Sequence, residues 1–294
     1  MGQPLKDESD YRRRLLLIPV RDYPDADDEF RNGIDEQIHT AVTWWSRTGD
    51  RPFEIVRPPA LASRRDIENF VHDTGLREAK PGDVLVIYVT GHGYRAPSGS
   101  HVLVMPSGAD DRIVRDGYPT EDLVLAAMHS DAEHILIIIN TCFAHAIADS
   151  LQRKMRDLPE GRRKRLTLAV ICSADFDQRP RVREFSIWLR RAYQQLRRSA
   201  GIAREELTIE EFLQELTRAA RSDPAGGDLL PRTEESAENR FFPSDRLPEM
   251  PRAIIAHDAL AGTRHLPREL EISASERRRL RRALCWRRFR NRLR

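Results

Sequence analysis

Short apolar runs that alternate with helical patterns are the feature that most limits the possible folds. The runs occupy residues 15–20, 53–56, 84–90, 135–139 and 166–171. A continuous apolar run of about four to eight residues is typical of a strand whose two faces are both buried. Segments that mix polar and apolar residues with a helical pattern lie between and after them, at 29–47, 63–74, 120–128, 185–198 and 209–220. This alternation predicts an α/β fold with a mainly parallel central sheet flanked by helices.

Capping residues mark several boundaries between these elements. Ser63 is a predicted N-cap and Gly75 a predicted stop for the second helix, and Thr120 is predicted to cap the third. Strand 84–90 ends abruptly at a glycine, and a further short strand is predicted at residues 101–105.

Length and composition allow one large domain. Single hydrophobic cores stop growing at roughly 250 to 300 residues, and this chain has 294. Hydrophobic residues make up 40% of the chain and charged residues 32%, which is enough to bury a core beneath a well-solvated surface. We expect residues 11–245 to form the folded domain, residues 1–10 to be a tail, and residues 246–294 to be an extension that ends in a basic amphipathic helix.

Cysteine usage and the length of the apolar runs indicate a cytoplasmic protein. The three cysteines, Cys142, Cys172 and Cys285, are too few and too scattered for a disulfide framework, and no CxxC pair suggests zinc. Each apolar run is far shorter than the roughly 20 residues that a membrane-spanning helix requires. The first residues contain no apolar stretch of the kind found in secretory signals. We therefore expect a soluble, non-secreted protein.

A histidine and a cysteine each follow the end of a predicted buried strand. Strand 84–90 leads into the sequence GHG, which contains His92, and strand 135–139 leads into NTC, which contains Cys142. Ligands of parallel α/β sheets bind outside the carboxyl ends of the strands. A thiol attacks a carbonyl well only as a thiolate, and a nearby imidazole can take its proton. The placement predicts a His–Cys dyad, with the backbone amides of Gly93 and Cys142 as candidate donors to an oxyanion.

These two segments resemble the catalytic motifs of the caspase and metacaspase family. VLVIYVTGHG is similar to the family's strand with the catalytic histidine, and ILIIINTCFAH to its strand with the catalytic cysteine. His92 and Cys142 are 50 residues apart, close to the separation of about 50 found in caspases. Further segments follow in family order: LLLIPVRDYPDAD, HVLVMPSGAD, LAVICSAD, REFSIWLRRAY and LTIEEFLQEL.

The resemblance covers residues 11–245 and implies a fold, an activity and roles for site residues. The implied fold is the three-layer caspase-like α/β fold. The implied activity is cysteine endopeptidase, with Cys142 as nucleophile, His92 as general base, and the amides of Gly93 and Cys142 as the oxyanion hole. Hydrolysis would pass through a thioester acyl-enzyme. The substrate would be a protein or peptide, and bacterial relatives of such peptidases suggest roles in stress, cell death or antiphage defence.

The residues expected to contact substrate depart from the family pattern. Metacaspases typically carry Asp two residues before the nucleophile and caspases carry Gln, whereas this chain carries Asn140. Arg21, Arg179 and Arg181 fall in loops where the family builds the pocket for the residue before the cut, and they could accept Asp. Ser173, directly after the strand at 166–171, is a further candidate for substrate contact. The preferred substrate residue before the scissile bond is open between Arg or Lys and Asp.

No metal or cofactor is expected from the remaining ligand-type residues. The other histidines lack a ligand spacing such as HExxH, so surface or capping roles are expected for them; they are His39, His72, His101, His129, His134, His145, His257 and His265. The acidic segment DYPDADDE could bind calcium through alternate carboxylates, but it lacks an EF-hand loop and is more often a solvated turn. Cys172 has no histidine motif near it, and we expect it to pack in the core.

The carboxyl-terminal residues carry a local excess of positive charge. Residues 276–294 contain ten Arg and one Glu, although the net charge of the whole chain is only +3. Apolar residues recur among these arginines as in a basic amphipathic helix, which could bind nucleic acid, anionic membrane, an acidic partner or the acidic remainder of its own chain. The alternative to a peptidase is thus a catalytically weak caspase-fold adaptor that binds partners through this tail. The peptidase hypothesis also leaves room for an activating partner protein.

Overall fold

A computed structural model gives the structure of the chain and describes residues 12–46, 52–77, 79–108, 112–147, 151, 154, 157–173, 184–199, 209–222 and 232–233. The strands are β1 (Arg13–Pro19), β2 (Glu54–Val56), β3 (Val84–Thr90), β4 (Gly93–Arg95), β5 (His101–Leu103), β6 (Tyr118–Pro119), β7 (His134–Asn140), β8 (Thr167–Cys172) and β9 (Arg232–Thr233). The helices are α1 (Asp28–Trp45), α2 (Arg64–Asn69), α3 (Ile113–Asp116), α4 (Thr120–His129), α5 (Glu160–Arg165), α6 (Glu184–Ser199) and α7 (Ile209–Arg221). A π-helical segment, Phe70–Leu76, continues α2, and a 3-10 turn, Ala144–Ile147, follows β7.

Six strands form the large sheet in the order β2-β1-β3-β7-β8-β9. The first five are parallel, and β9 is antiparallel to β8. Because parallel neighbours need crossover connections, the chain between them forms helices that cover the sheet. The predicted α/β fold with a mainly parallel central sheet flanked by helices is confirmed.

Alternate side chains of each central strand enter two separate cores, one on each face of the sheet. In β3, Leu85, Ile87 and Val89 contact one core, whereas the intervening side chains contact the other. The first core includes side chains of α2, the π-helical segment and α4. The second includes side chains of α1, α6 and α7, among them the fully buried Trp45 and Trp188. Burial on both faces explains why the central positions of these strands are almost all apolar.

Two helix boundaries differ from those predicted. Ser63 is the N-cap of α2, as predicted, and forms a capping box with Asp66. Gly75 does not stop the helix, because the π-helical segment continues to Leu76. Thr120 is the first residue of α4 rather than its cap, a position that Pro119 occupies.

A small antiparallel sheet with the order β4-β5-β6 follows β3 in the chain. It begins at Gly93, directly after His92, and the β4–β5 hairpin returns the chain so that Arg95 pairs with His101. The amide of Val104 donates to the His92 carbonyl at 2.8 Å. The hairpin is therefore attached to the loop that carries the predicted general base.

Several predicted features lie outside the described residues. They include Arg179 and Arg181, the basic segment 276–294, and the domain boundaries near residues 11 and 245. Among the helices in the described ranges, none is long and apolar enough to cross a membrane.

Candidate active site

The sheet register places His92 and Cys142 at equivalent positions on neighbouring strands. Thr90, the last residue of β3, is the register partner of Asn140, the last residue of β7. His92 and Cys142 each follow two residues later, at the carboxyl edge of the sheet. Parallel strands lie about 4.8 Å apart, so the two loops leave the sheet side by side. His92 is exposed and Cys142 is half-buried, so both are open to solvent.

Two aromatic residues and one backbone contact hold His92. Its amide donates to the Tyr23 hydroxyl at 2.9 Å. Its ring stacks on Phe30, with centroids 4.2 Å apart and planes 15° apart, and contacts the Tyr23 ring at 4.5 Å. Stacking of this kind restricts the rotamers of an otherwise exposed side chain. The stacking thus favours one orientation of the imidazole.

The Tyr23 hydroxyl forms hydrogen bonds with His92 and with the segment that follows β5. The hydroxyl donates to the Val104 carbonyl at 3.0 Å and accepts from the His92 amide. Burial raises its pKa well above the ordinary value, the His92 amide lowers it, and the negative charge of an ionised Cys142 raises it further. The phenol therefore keeps its proton and remains a donor at neutral pH.

The glycines on either side of His92 are required by close backbone contacts. Gly91 has φ +150°, and a Cβ there would lie 2.8 Å from both the Tyr23 hydroxyl and the Val20 carbonyl oxygen. A Cβ on Gly93 would overlap the carbonyl oxygen of Cys142. The sequence GHG thus allows the histidine loop to pack directly on the cysteine loop.

The loop that contains Cys142 has an unusual backbone conformation and buried partners. Phe143, directly after Cys142, has φ +60°, which costs a residue with a Cβ about 1–2 kcal/mol. The Cys142 carbonyl lies 3.1 Å from Nε2 of His101, and the Thr141 hydroxyl lies 2.9 Å from the same nitrogen. Strained conformations of this kind persist where the surroundings fix them.

Three histidines that were expected at the surface or in caps are buried, so that expectation was wrong for them. They are His101, His134 and His145. In His101, Nδ1 is 2.9 Å from the Thr120 hydroxyl. Burial lowers the pKa of the imidazole to about 4, and the hydrogen bond to the Cys142 carbonyl opposes part of this decrease. The sequence contains a signal for the burial of His101, because this residue begins the predicted apolar strand HVLVM, where a polar side chain needs a buried partner.

Asn140 belongs to a buried network beneath the site. Its amide donates to Oε1 of Gln37 at 2.7 Å and to the Tyr88 hydroxyl at 3.1 Å. The Thr90 hydroxyl donates to the same Gln37 oxygen at 2.5 Å. Burial raises the pKa of Tyr88 to about 12, which the hydrogen bonds with Asn140 and Ser186 partly oppose. With 7% of its surface exposed, Asn140 is held in place by α1 and β3.

The other predicted substrate-contacting residues lie around the same edge. The Arg21 side chain is 43% exposed and forms ion pairs with Asp35 and, at 3.5 Å, with Asp22. Ser173 is fully buried, and its hydroxyl donates to the Thr141 carbonyl at 3.2 Å. Substrate contact by Arg21, Asn140 and Ser173 stays a prediction, and Arg179 lies outside the described residues.

Two further expectations concern cysteine and metal chemistry. Cys172 is part of the core, as predicted, and its thiol lies 3.5 Å from the Ala144 carbonyl. Within the acidic segment, the Asp27 carboxylate accepts from the Phe30 amide and caps α1. In the part of the chain that the structure describes, no group of three or more His, Cys, Asp or Glu could hold a metal ion.

Comparisons with known proteins show a distant likeness to solved structures. No family model matches the sequence. No curated protein matches it either. Among solved structures, the crystal structure of the Drosophila initiator caspase Dronc is similar at 10% identity and a TM-score of 0.44, over 76% of this chain and 79% of that one. This likeness is too distant to assign a family, so proposals about activity rest on the residues of the site.

Proposed function

We propose that the protein is a caspase-like cysteine endopeptidase with Cys142 as nucleophile and His92 as general base. The observation that carries the proposal is the sheet register, which pairs Thr90 with Asn140 and so brings both loops to one edge of neighbouring strands. The close approach of Gly93 to the Cys142 carbonyl adds a second contact between the loops. Nucleophilic catalysis by cysteine requires a base within reach of the thiol, and the proximity of the two loops supports this assignment.

The residues present support a complete acyl-transfer cycle. His92 takes the proton of Cys142, and the thiolate attacks the peptide carbonyl carbon to form a C–S bond. The amides of Gly93 and Cys142 are the candidate donors to the oxyanion. Collapse breaks the C–N bond and releases the amine, which takes its proton from the imidazolium. Water, deprotonated by His92, then hydrolyses the thioester and restores the free thiol.

Selectivity for the substrate residue before the scissile bond depends on the charge of the side chains that contact it. Asn140 is neutral, and the Arg21 guanidinium is already paired with Asp35. These residues allow either a basic or an acidic side chain before the scissile bond, and Arg179 would add to acidic preference. Two fluorogenic peptide panels, one ending in Arg or Lys and one in Asp, separate these alternatives.

The proposal is tested by cleavage of both panels, with calcium present and absent. We expect the wild type to cleave one panel. Cys142→Ala removes the nucleophile and His92→Ala removes the base that activates it, so each should reduce kcat by at least about 10³-fold. His72→Ala is the matched control, because His72 is an exposed histidine on the π-helical segment, and it should keep activity within about two-fold. The peptidase proposal is rejected if the wild type cleaves neither panel, or if Cys142→Ala retains its activity.

A further inference from the structure

We propose that His101 is a positioning residue whose neutral imidazole holds the Cys142 carbonyl and thereby fixes the backbone from which the nucleophilic thiol projects. The inference rests on the proposed function for its catalytic consequence. It starts from the buried cluster of His101, Thr120, Thr141 and the Cys142 carbonyl, which lies directly beneath the exposed dyad.

The proposed bond to the Cys142 carbonyl sets the tautomer of His101. The carbonyl can only accept, so in this arrangement Nε2, at 3.1 Å, carries the proton, and the Thr141 hydroxyl, 2.9 Å from Nε2, is a second acceptor. Nδ1 is then an acceptor, and the Thr120 hydroxyl at 2.9 Å is its donor. This explains why Thr120 does not cap α4: its hydroxyl bonds to the imidazole and lies 3.3 Å from the His101 carbonyl. The ring is thus held by a bond at each nitrogen.

The bond to Cys142 acts on the peptide group that precedes Phe143. A peptide group is planar, so fixing its carbonyl also fixes the direction of the bonded chain on both sides. Phe143 departs from that group with φ +60°. Such a conformation requires compensating contacts, and the His101 bond to the adjoining carbonyl is one of them. Release of that carbonyl would allow the loop to relax and move the thiol.

The cluster also connects the nucleophile to the general base. A Cβ on Gly93 would lie 2.7 Å from Nε2 of His101 and 2.8 Å from the Thr141 hydroxyl, as well as overlapping the Cys142 carbonyl oxygen. Gly93 directly follows His92, and His101 pairs with Arg95 across the β4–β5 hairpin. The imidazole therefore bonds to the backbone of the Cys142 loop and leaves no room for a side chain at Gly93 in the other loop. Displacement of about 1 Å between reacting groups can reduce a rate by about 10²-fold.

Burial keeps His101 in the form that this role requires. The side chain is almost fully enclosed, and burial lowers its pKa to about 4. The imidazole is therefore neutral at pH 7, so Nδ1 remains an acceptor for Thr120. His92, by contrast, is exposed and stacked on Phe30, and it is the proposed general base.

Two amide substitutions separate positioning from packing. The Gln amide nitrogen in His101→Gln reaches the place of Nε2 and can still donate to Cys142, whereas the shorter amide of His101→Asn reaches only the place of Nδ1. We expect His101→Gln to keep kcat within about five-fold and His101→Asn to lose about 10²-fold in kcat, with KM within about three-fold. A second readout is the pH profile of Cys142 alkylation by iodoacetamide, followed by mass spectrometry. Its midpoint should rise by about one pH unit in His101→Asn, because the displaced thiolate loses the imidazole that stabilises it.

His134→Asn is the matched control, because His134 is equally buried but stands at the opposite end of β7. We expect it to leave kcat and the alkylation profile unchanged. If His101→Asn does not fold, Thr120→Val provides the test, since it removes the donor to Nδ1 and should lower kcat by about ten-fold. Wild-type kcat and alkylation in folded His101→Asn, or equal losses in His134→Asn, would overturn the inference. If the wild type cleaves no peptide, the peptidase proposal fails, and the alkylation profile still decides the role of His101.

Discussion

Acid should destabilise the protein through His101 by an amount that follows from its burial. A free histidine has a pKa near 6.5, whereas burial lowers that of His101 to about 4. Between these values the unfolded chain binds a proton that the folded protein does not. Stability is therefore complete above about pH 6.5 and falls as the pH drops towards 4. From pH 7.5 to pH 5.0, His101 alone should reduce the free energy of unfolding by about 2 kcal/mol.

The measurement is urea unfolding at the two pH values, followed by tryptophan fluorescence, for the wild type and His101→Gln. Gln does not titrate, so the variant should lack about 2 kcal/mol of the wild-type decrease, whatever its stability at pH 7.5. His72→Gln is the control, because His72 is exposed on the π-helical segment and its replacement should leave the wild-type decrease in place. A decrease that is equal in the wild type and His101→Gln, within about 0.5 kcal/mol, would show that His101 is not held neutral by burial.

Two further substitutions test the contacts made by α1. Phe30→Leu removes the ring that stacks on His92, so we expect kcat for peptide cleavage to fall by about ten-fold with little change in KM; an unchanged kcat would show that stacking does not orient the base. Gln37→Leu leaves the buried Thr90 hydroxyl and Asn140 amide without their shared acceptor. It should lower the free energy of unfolding by about 2–4 kcal/mol in urea titrations, and a loss below about 1 kcal/mol would contradict a structural role for this network.

The strands were predictable from the sequence because burial on both faces leaves a local signal. The run VLVIYVT coincides with β3, and each of its side chains is buried. Helix ends were harder to predict, because long-range partners decide them. Thr120 has the residue type of a cap, yet its hydroxyl bonds to His101, 19 residues earlier in the chain. A local rule for capping cannot include that competing partner.

The positions of His92 and Cys142 at strand ends were predictable for the same reason, whereas the residues that support them were not. His92 and Cys142 follow strand ends, which the apolar runs mark directly. Tyr23 lies 69 residues before His92, and Gln37 lies 103 residues before Asn140. Contacts at such separations depend on how helices and loops dock onto the sheet. No spacing rule reports them.

Helix α1 shows how one docking event organises both halves of the site. Phe30 and Gln37 are seven residues apart, about two helical turns, and so lie on the same side of the helix. Phe30 stacks on the ring of His92, while Gln37 bonds to Thr90 and Asn140, the last residues of the two strands that precede His92 and Cys142. The helix thus connects His92 to the residue two positions before Cys142. Because both contacts depend on the same helix, a substitution that shifts α1 should disturb the orientation of His92 and the position of Cys142 together, even though neither residue belongs to that helix.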